Sequence, residues 1–177
     1  MIRSYVNTIR VYRSALDHSK GRIVAGPLVI SCVLGRGGTR HDKREGDGAS
    51  PIGRFGLLGA FYRADNLSRP RTGLALSRIR RQDGWSDDPR DRRYNRLIPL
   101  PSATGHEKMW RDDHLYDVVV DIGFNRAPIV RGHGSAIFLH LARPGFTPTE
   151  GCVAVEKRMI GRLLALIGPR TRIEIIG

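Results

Sequence analysis

Ala136-Ile137-Phe138-Leu139-His140 is a short apolar run that ends in a histidine, and Leu141-Ala142-Arg143-Pro144-Gly145-Phe146-Thr147-Pro148-Thr149-Glu150-Gly151-Cys152-Val153-Ala154-Val155 follows it directly. The first run has the length and composition of a buried strand. Pro144, Gly145 and Pro148 then break the pattern and make a loop. Val153-Ala154-Val155 is apolar again. Beyond it, Met159, Ile160, Leu163, Leu164 and Ile167 recur at helical spacing until Gly168-Pro169 stops the run. Arg172-Ile173-Glu174-Ile175-Ile176 reads as a closing strand.

Moving towards the amino terminus, residues 5–12 alternate loosely through Val6, Ile9 and Val11 and suggest a first strand. Residues 22–34 read as strand, turn at Gly26-Pro27, strand. Cys32 lies inside that apolar run and reads as a small buried hydrophobe. Gly35-Arg36-Gly37-Gly38-Thr39 lacks the Lys-Ser/Thr of a phosphate-binding loop and reads as a turn. Residues 43–55 hold glycines and a proline and predict a tight, exposed loop leading into a strand at Phe55–Leu58. Residues 78–96 contain seven arginines and four aspartates around Gly84, Trp85, Pro89 and Tyr94. No apolar period runs through them, so a long surface loop is expected. Leu115–Gly123 is β-branched and bounded by turns, a core strand. The elements together predict a mainly β protein, a sandwich or barrel-like sheet with one long C-terminal helix. No internal repeat or linker divides the chain, and one domain over residues 1–177 is expected.

The formal charge is +13, most of it arginine. Such an excess favours polyanionic neighbours: nucleic acid, anionic lipid or an anionic wall polymer. The alternative is a basic solvated surface, because the arginines are scattered. No run approaches the ~20 apolar residues of a membrane span. Met1–Arg10 shows no apolar core of signal-peptide length. Cys32 and Cys152 are the only cysteines, too few for a disulfide framework or a zinc site. A bridge between them would destroy either as a nucleophile.

A thiol beside an imidazole can lose its proton to it and attack carbonyl carbon. His140, at the tip of a strand, and Cys152, twelve residues on, are candidates for that pair. Gly151 allows a sharp turn before the cysteine, and the amides of Gly151 and Cys152 would face a developing oxyanion. The group that orients the histidine is not legible. Taken separately, His140 could equally be a satisfied core histidine and Cys152 a buried thiol. His133, in a glycine-flanked loop, is an alternative base.

Ile137-Phe138-Leu139-His140…Thr149-Glu150-Gly151-Cys152-Val153 resembles the active-site signature of the L,D-transpeptidase (YkuD-like) catalytic domain. Glu45-Gly46-Asp47-Gly48-Ala49-Ser50-Pro51-Ile52-Gly53-Arg54-Phe55 is similar to a second hallmark of that family, Thr/Ser-Pro-x-Gly-x-Phe. The resemblance implies an L,D-transpeptidase-like β-sandwich with its helix packed on the sheet. It implies Cys152 as nucleophile, His140 as general base, and Gly151 and Cys152 as oxyanion donors. The substrate would be a peptidoglycan or muropeptide stem, cleaved after its third residue with release of D-alanine, and the acyl group would pass to an amine or to water. Thr149, Glu150 and Arg143 are candidate substrate contacts, Arg143 through bidentate binding of stem carboxylates. No metal or other cofactor is implied. Glu150 stands where the family has a second histidine, and Ala154 where it has Arg or Asn. The family implies the periplasm or cell envelope, whereas the missing signal peptide keeps the cytoplasm open. The same pair would serve an L,D-carboxypeptidase or stem-peptide endopeptidase. The competing class is a basic module that grips nucleic acid through residues 78–96; on the enzyme reading no nucleic-acid partner is expected.

Overall fold

Two patterns of burial separate the strands of this protein. The structure is a computed structural model describing residues 4–177. Met1, Ile2 and Arg3, the head of the stretch read for an export signal, lie outside the described residues. In β1 (Thr8–Arg13), β2 (Lys20–Ala25) and β3 (Leu28–Val33), buried Ile9, Val11, Ile23, Ala25, Leu28 and Ile30 alternate with partly or fully exposed neighbours. This is the period of a half-buried strand. The chain next forms β4 (Thr39–Arg40), β5 (Ser50–Pro51), β6 (Gly53–Gly56), β7 (Gly59–Tyr62), β8 (Leu76–Arg78), β9 (Asp83–Ser86), β10 (Leu97–Pro99) and β11 (His106–Lys108). In β12 (Val118–Asp121), β13 (Phe138–Leu141) and β14 (Val153–Val155) every residue is buried. These continuous runs are covered on both faces. The helix α1 (Lys157–Leu166) buries Ile160, Leu163 and Leu164, and β15 (Arg172–Ile176) closes the fold.

Ten strands form one sheet in the order β6-β15-β1-β2-β3-β14-β13-β12-β7-β8. Only Leu57 and Leu58 join β6 to β7, yet these strands lie eight positions apart in that order. A flat sheet would separate them by about 38 Å, while the connection spans at most about 11 Å. The sheet therefore curls on itself. The approach of its ends is visible where Phe55 of β6 packs edge to face at 5.5 Å on Phe124, just beyond β12. Inside the curl, Ile9, Ile23, Val120, Leu139, Val153 and Ile173 pack with Leu163 and Leu164 of the helix in one apolar cluster. The result is the mainly β fold with a helix on its sheet that the sequence predicts. Within the helix, Leu163 is wholly buried, and its truncation to alanine would cost ~2–5 kcal/mol.

Two segments differ from the sequence reading. Residues 78–96 are not a surface loop. They carry the end of β8 and all of β9, the middle strand of a small sheet ordered β10-β9-β11, and they bury Trp85, Ser86, Asp91, Tyr94 and Asn95. Trp85 and Phe138 meet edge to face at 4.9 Å, so this sheet covers an aromatic cluster on the outer side of β13. The arginines hid the segment because several are neutralised locally: Arg90 pairs with Asp88 and Arg93 with Asp91, each at 3.0 Å. Residues 43–55 are not an exposed loop either. Lys43, Gly48, Ala49, Ser50 and Pro51 are buried, and Lys43 reaches Asp47 at 2.7 Å. Cysteines 32 and 152 are both free thiols.

Candidate active site

The site grows from a parallel strand pair. β13 and β14 run side by side with Leu139 opposite Val153 and His140 opposite Ala154. Parallel neighbours need a crossover, and residues 142–152 supply it as an irregular loop. The register puts Cys152 beside Phe138, two residues from His140. Strand geometry sets their Cα atoms about 8 Å apart on a diagonal. Both side chains reach one pocket of about 190 Å³, which is also lined by Glu107, Arg111, Tyr116 and Arg143.

Each partner is fixed by backbone. The Phe138 amide donates to Cys152 Sγ at 3.3 Å, and the thiol donates to Ala136 O at 3.2 Å. His140 Nδ1 lies 2.8 Å from Leu141 O. A carbonyl only accepts, so Nδ1 carries the proton and Nε2 is left as the acceptor. Tyr116 packs edge-on against the imidazole at 5.2 Å. The orienting group that the sequence left unnamed is thus a main-chain carbonyl with an aromatic wall. No hydrogen bond joins Cys152 to His140 among the described residues.

Gly151 is required by its surroundings. Its φ is +133°, and a Cβ there would meet Ala49 O at 2.7 Å, so any other residue would be both strained and crowded. Its amide, expected to face an oxyanion, donates instead to Thr149 Oγ1 at 3.2 Å, and that hydroxyl donates to Cys152 O at 2.7 Å. The Thr-x-Gly-Cys turn is therefore stitched internally, which leaves the Cys152 amide as the remaining expected donor. Arg143, Thr149 and Glu150 all line the pocket. Glu150 is engaged by Arg36, with Nε to its two carboxylate oxygens at 2.8 and 2.9 Å. His133 does not line the pocket; its Nε2 lies 2.8 Å from Arg44 Nη1. Nothing from residues 78–96 lines it either.

The YkuD model, an L,D-transpeptidase catalytic domain, matches residues 8–175. The chain belongs to this family. It is also similar to Mycobacterium tuberculosis L,D-transpeptidase 1, with 12% identity, coverage of 96% of this chain and 62% of that chain, and a TM-score of 0.41. The chain thus spans under two thirds of that protein's length. Among curated proteins nothing matches it.

In this pocket, burial decides the resting protonation. It pushes the Cys152 thiol up to about 12, helped by the negative charge of Glu107 and opposed by the Phe138 amide and Lys43. It also pulls His140 down to about 4. At neutral pH the pair is a thiol and a neutral imidazole, not the ion pair expected from a free cysteine beside a histidine. Chemically, a thiol in this state could attack only if its proton left in the same step, and His140 Nε2 is an unengaged acceptor on the same pocket. Among the described residues no three His, Cys, Asp or Glu side chains gather as a metal-holding group, and no helix is long and apolar enough to cross a membrane.

Sequence reasoning missed several residues of this site. Tyr116 lies in a stretch legible only as a strand, and its hydroxyl donates to Glu107 at 2.5 Å. Asn95 was hidden among arginines. Its Oδ1 accepts from Trp85 Nε1 at 3.0 Å and from the Ala136 amide at 3.1 Å. Ala136 has φ +52°, a conformation costing about 1 kcal/mol or more, and its carbonyl accepts the hydrogen bond of the Cys152 thiol. Asn95 thereby fixes the acceptor of the thiol from outside the main sheet. Glu45 was legible only as part of a motif; it accepts from Ser135 Oγ at 2.7 Å and from the Tyr94 hydroxyl, tying residues 43–50 to the approach to β13.

Proposed function

We propose that the protein is a cysteine-dependent L,D-transpeptidase acting on peptidoglycan stem peptides in the cell envelope. Membership of the family supports a peptidoglycan L,D-transpeptidase-type activity, and one observation carries the reading to residues. Cys152 and His140 open onto the same pocket, with the histidine's Nδ1 tied to Leu141 O so that Nε2 is free to accept a proton.

On this reading Nε2 takes the thiol proton as Sγ attacks the carbonyl carbon after the third stem residue. The Cys152 amide donates to the oxygen as charge develops there. The tetrahedral adduct collapses, the C–N bond breaks, and His140 returns the proton to the leaving D-alanine amine. An amine of a second stem then attacks the thioester, loses its proton to His140, and restores the thiol. Thr149 and Gly151 hold the turn that presents the cysteine. Arg143, exposed at the rim, receives a stem carboxylate.

The test is intact mass after incubation with a carbapenem, an acyl-donor mimic. Wild type and Cys32→Ala should each gain one adduct, and Cys152→Ala none. An adduct that persists in Cys152→Ala would overturn the assignment. Muropeptide products from the same preparations would separate transfer from hydrolysis.

A further inference from the structure

We infer that Lys43 is a positioning residue for Cys152: its stem fills the gap between the two backbone segments that hold the thiol, and its ammonium favours the negative charge that develops on sulfur. The inference deepens the acyl-transfer reading and rests on it. Lys43 does not line the pocket and is 4% exposed. Its Nζ donates to Asp47 Oδ1 at 2.7 Å and to Arg44 O at 3.4 Å. The Asp47 carboxylate is fixed in turn by the amides of Arg44 and Ala49, each at 2.8 Å. Lysine is rarely buried this far, and a buried ion pair is weak evidence for stability, because apolar residues of the same volume often serve as well. The charge therefore asks for a use.

Its surroundings supply one. Gly134 precedes β13, and Gly151 precedes Cys152. A Cβ on Gly134 would meet Lys43 Cε at 2.9 Å, and a Cβ on Gly151 would lie 3.4 Å from Nζ. The lysine thus occupies the slot left where both segments lack side chains. One segment leads to Ala136, whose carbonyl accepts from the thiol, and the other carries the sulfur. The Glu45 amide donates to Gly132 O at 2.8 Å and holds residues 43–45 against the first segment. Among the influences on the thiol, burial comes first and Glu107 next, and both disfavour the thiolate. The Phe138 amide and Lys43 oppose them, and Lys43 is the one cation that does. As the proton leaves Sγ for His140, a cation already fixed beside the turn stabilises the charge without rearranging.

The experiment uses two variants that break the same ion pair, each in the full chain with Cys32→Ala. Lys43→Met keeps a stem and loses the charge, whereas Asp47→Asn keeps the ammonium and removes its counter-charge. The readout is the rate at which iodoacetamide labels Cys152 at one mildly alkaline pH, followed by intact mass. Both variants should lower the urea midpoint. Labelling should slow by about tenfold in Lys43→Met, yet hold or rise in Asp47→Asn. A strut without an electrostatic role would slow both. That result would overturn the inference, as would an unchanged rate in Lys43→Met. If Lys43→Met fails to fold, Asp47→Asn decides alone, since slower labelling there overturns the inference and a rate held or raised supports it. Labelling needs no acyl donor, so a carbapenem adduct on Cys152 in the same preparation tests the acyl-transfer reading separately. Its absence would strike that reading while the labelling contrast still stands or falls by itself.

Discussion

Cys32 lies in β3 and Cys152 immediately before the neighbouring β14, both buried and both pushed up to about 12 by burial. Around Cys32 burial is the whole story. The residue lies within β3 against the backbone of Gly21, among the apolar side chains of the core. Around Cys152 the same burial is met by an amide donating to the sulfur, a carbonyl accepting the thiol's hydrogen bond, a lysine ammonium and an imidazole on the same pocket. On the proposed function, reactivity is therefore not written in the resting acidity of either thiol. It lies in what stands next to the sulfur when a substrate arrives, and the two regions differ in that alone.

The sharpest way to break this contrast is to remove the base. His140→Ala should slow carbapenem acylation of Cys152 by about 10²–10⁴-fold, measured by the growth of the adduct with time, while His133→Ala stays within about twofold. Equal losses would mean that the strand-borne imidazole is not special. Next comes the acceptor of the thiol proton. Asn95→Ala unpairs Trp85 Nε1 and the Ala136 amide, and should cost ~1–3 kcal/mol in thermal unfolding together with about tenfold in acylation, roughly one hydrogen bond's worth of positioning. Stability lost with acylation intact would show that Ala136 plays no part in presenting the thiol.

The pH profile sharpens the contrast further. On the proposed function the active form of His140 is the neutral imidazole, and burial lowers its folded value to about 4. Acylation should then hold within about twofold between pH 8 and 5 and fall only as pH drops through about 4. A histidine at its ordinary value near ~6.5 would already fail around pH 6. The smallest effect belongs to the other thiol. Cys32→Ala should destabilise the fold by ~1–2 kcal/mol through a small cavity, seen in denaturant midpoints, with no change in acylation rate. Iodoacetamide should label Cys32 only after unfolding.

How much of this was legible depended on periodicity. Phe138–His140 and the helix over Met159–Ile167 repeat apolar residues at strand and helix spacing, and both are where the sequence put them. The turn at Gly151 was legible because only glycine suits that backbone. The wall of the site was not. Asn95 and Glu107 are polar, lie in strands of three or four residues or just beyond them, and are buried by aromatic neighbours far away in sequence. Alternation over so few positions carries no signal, and local Arg–Asp pairing makes a covered segment look like a solvated one. Lys43 was misread for a related reason, since its partner Asp47 is supplied within the same glycine-rich stretch.

The pairing of β1 with β15 has a consequence for how the chain is made. Thr8 lies opposite Arg172 and Tyr12 opposite Ile176, in the third and second places of the ten-stranded order. Within this domain an early strand waits for one made 164 residues later. Local hairpins such as β2–β3 can form on the ribosome, but the barrel-like closure through β15 and β6 cannot precede residue 176. Contacts of such long sequence separation slow folding. Until β15 has emerged, that seam stays open.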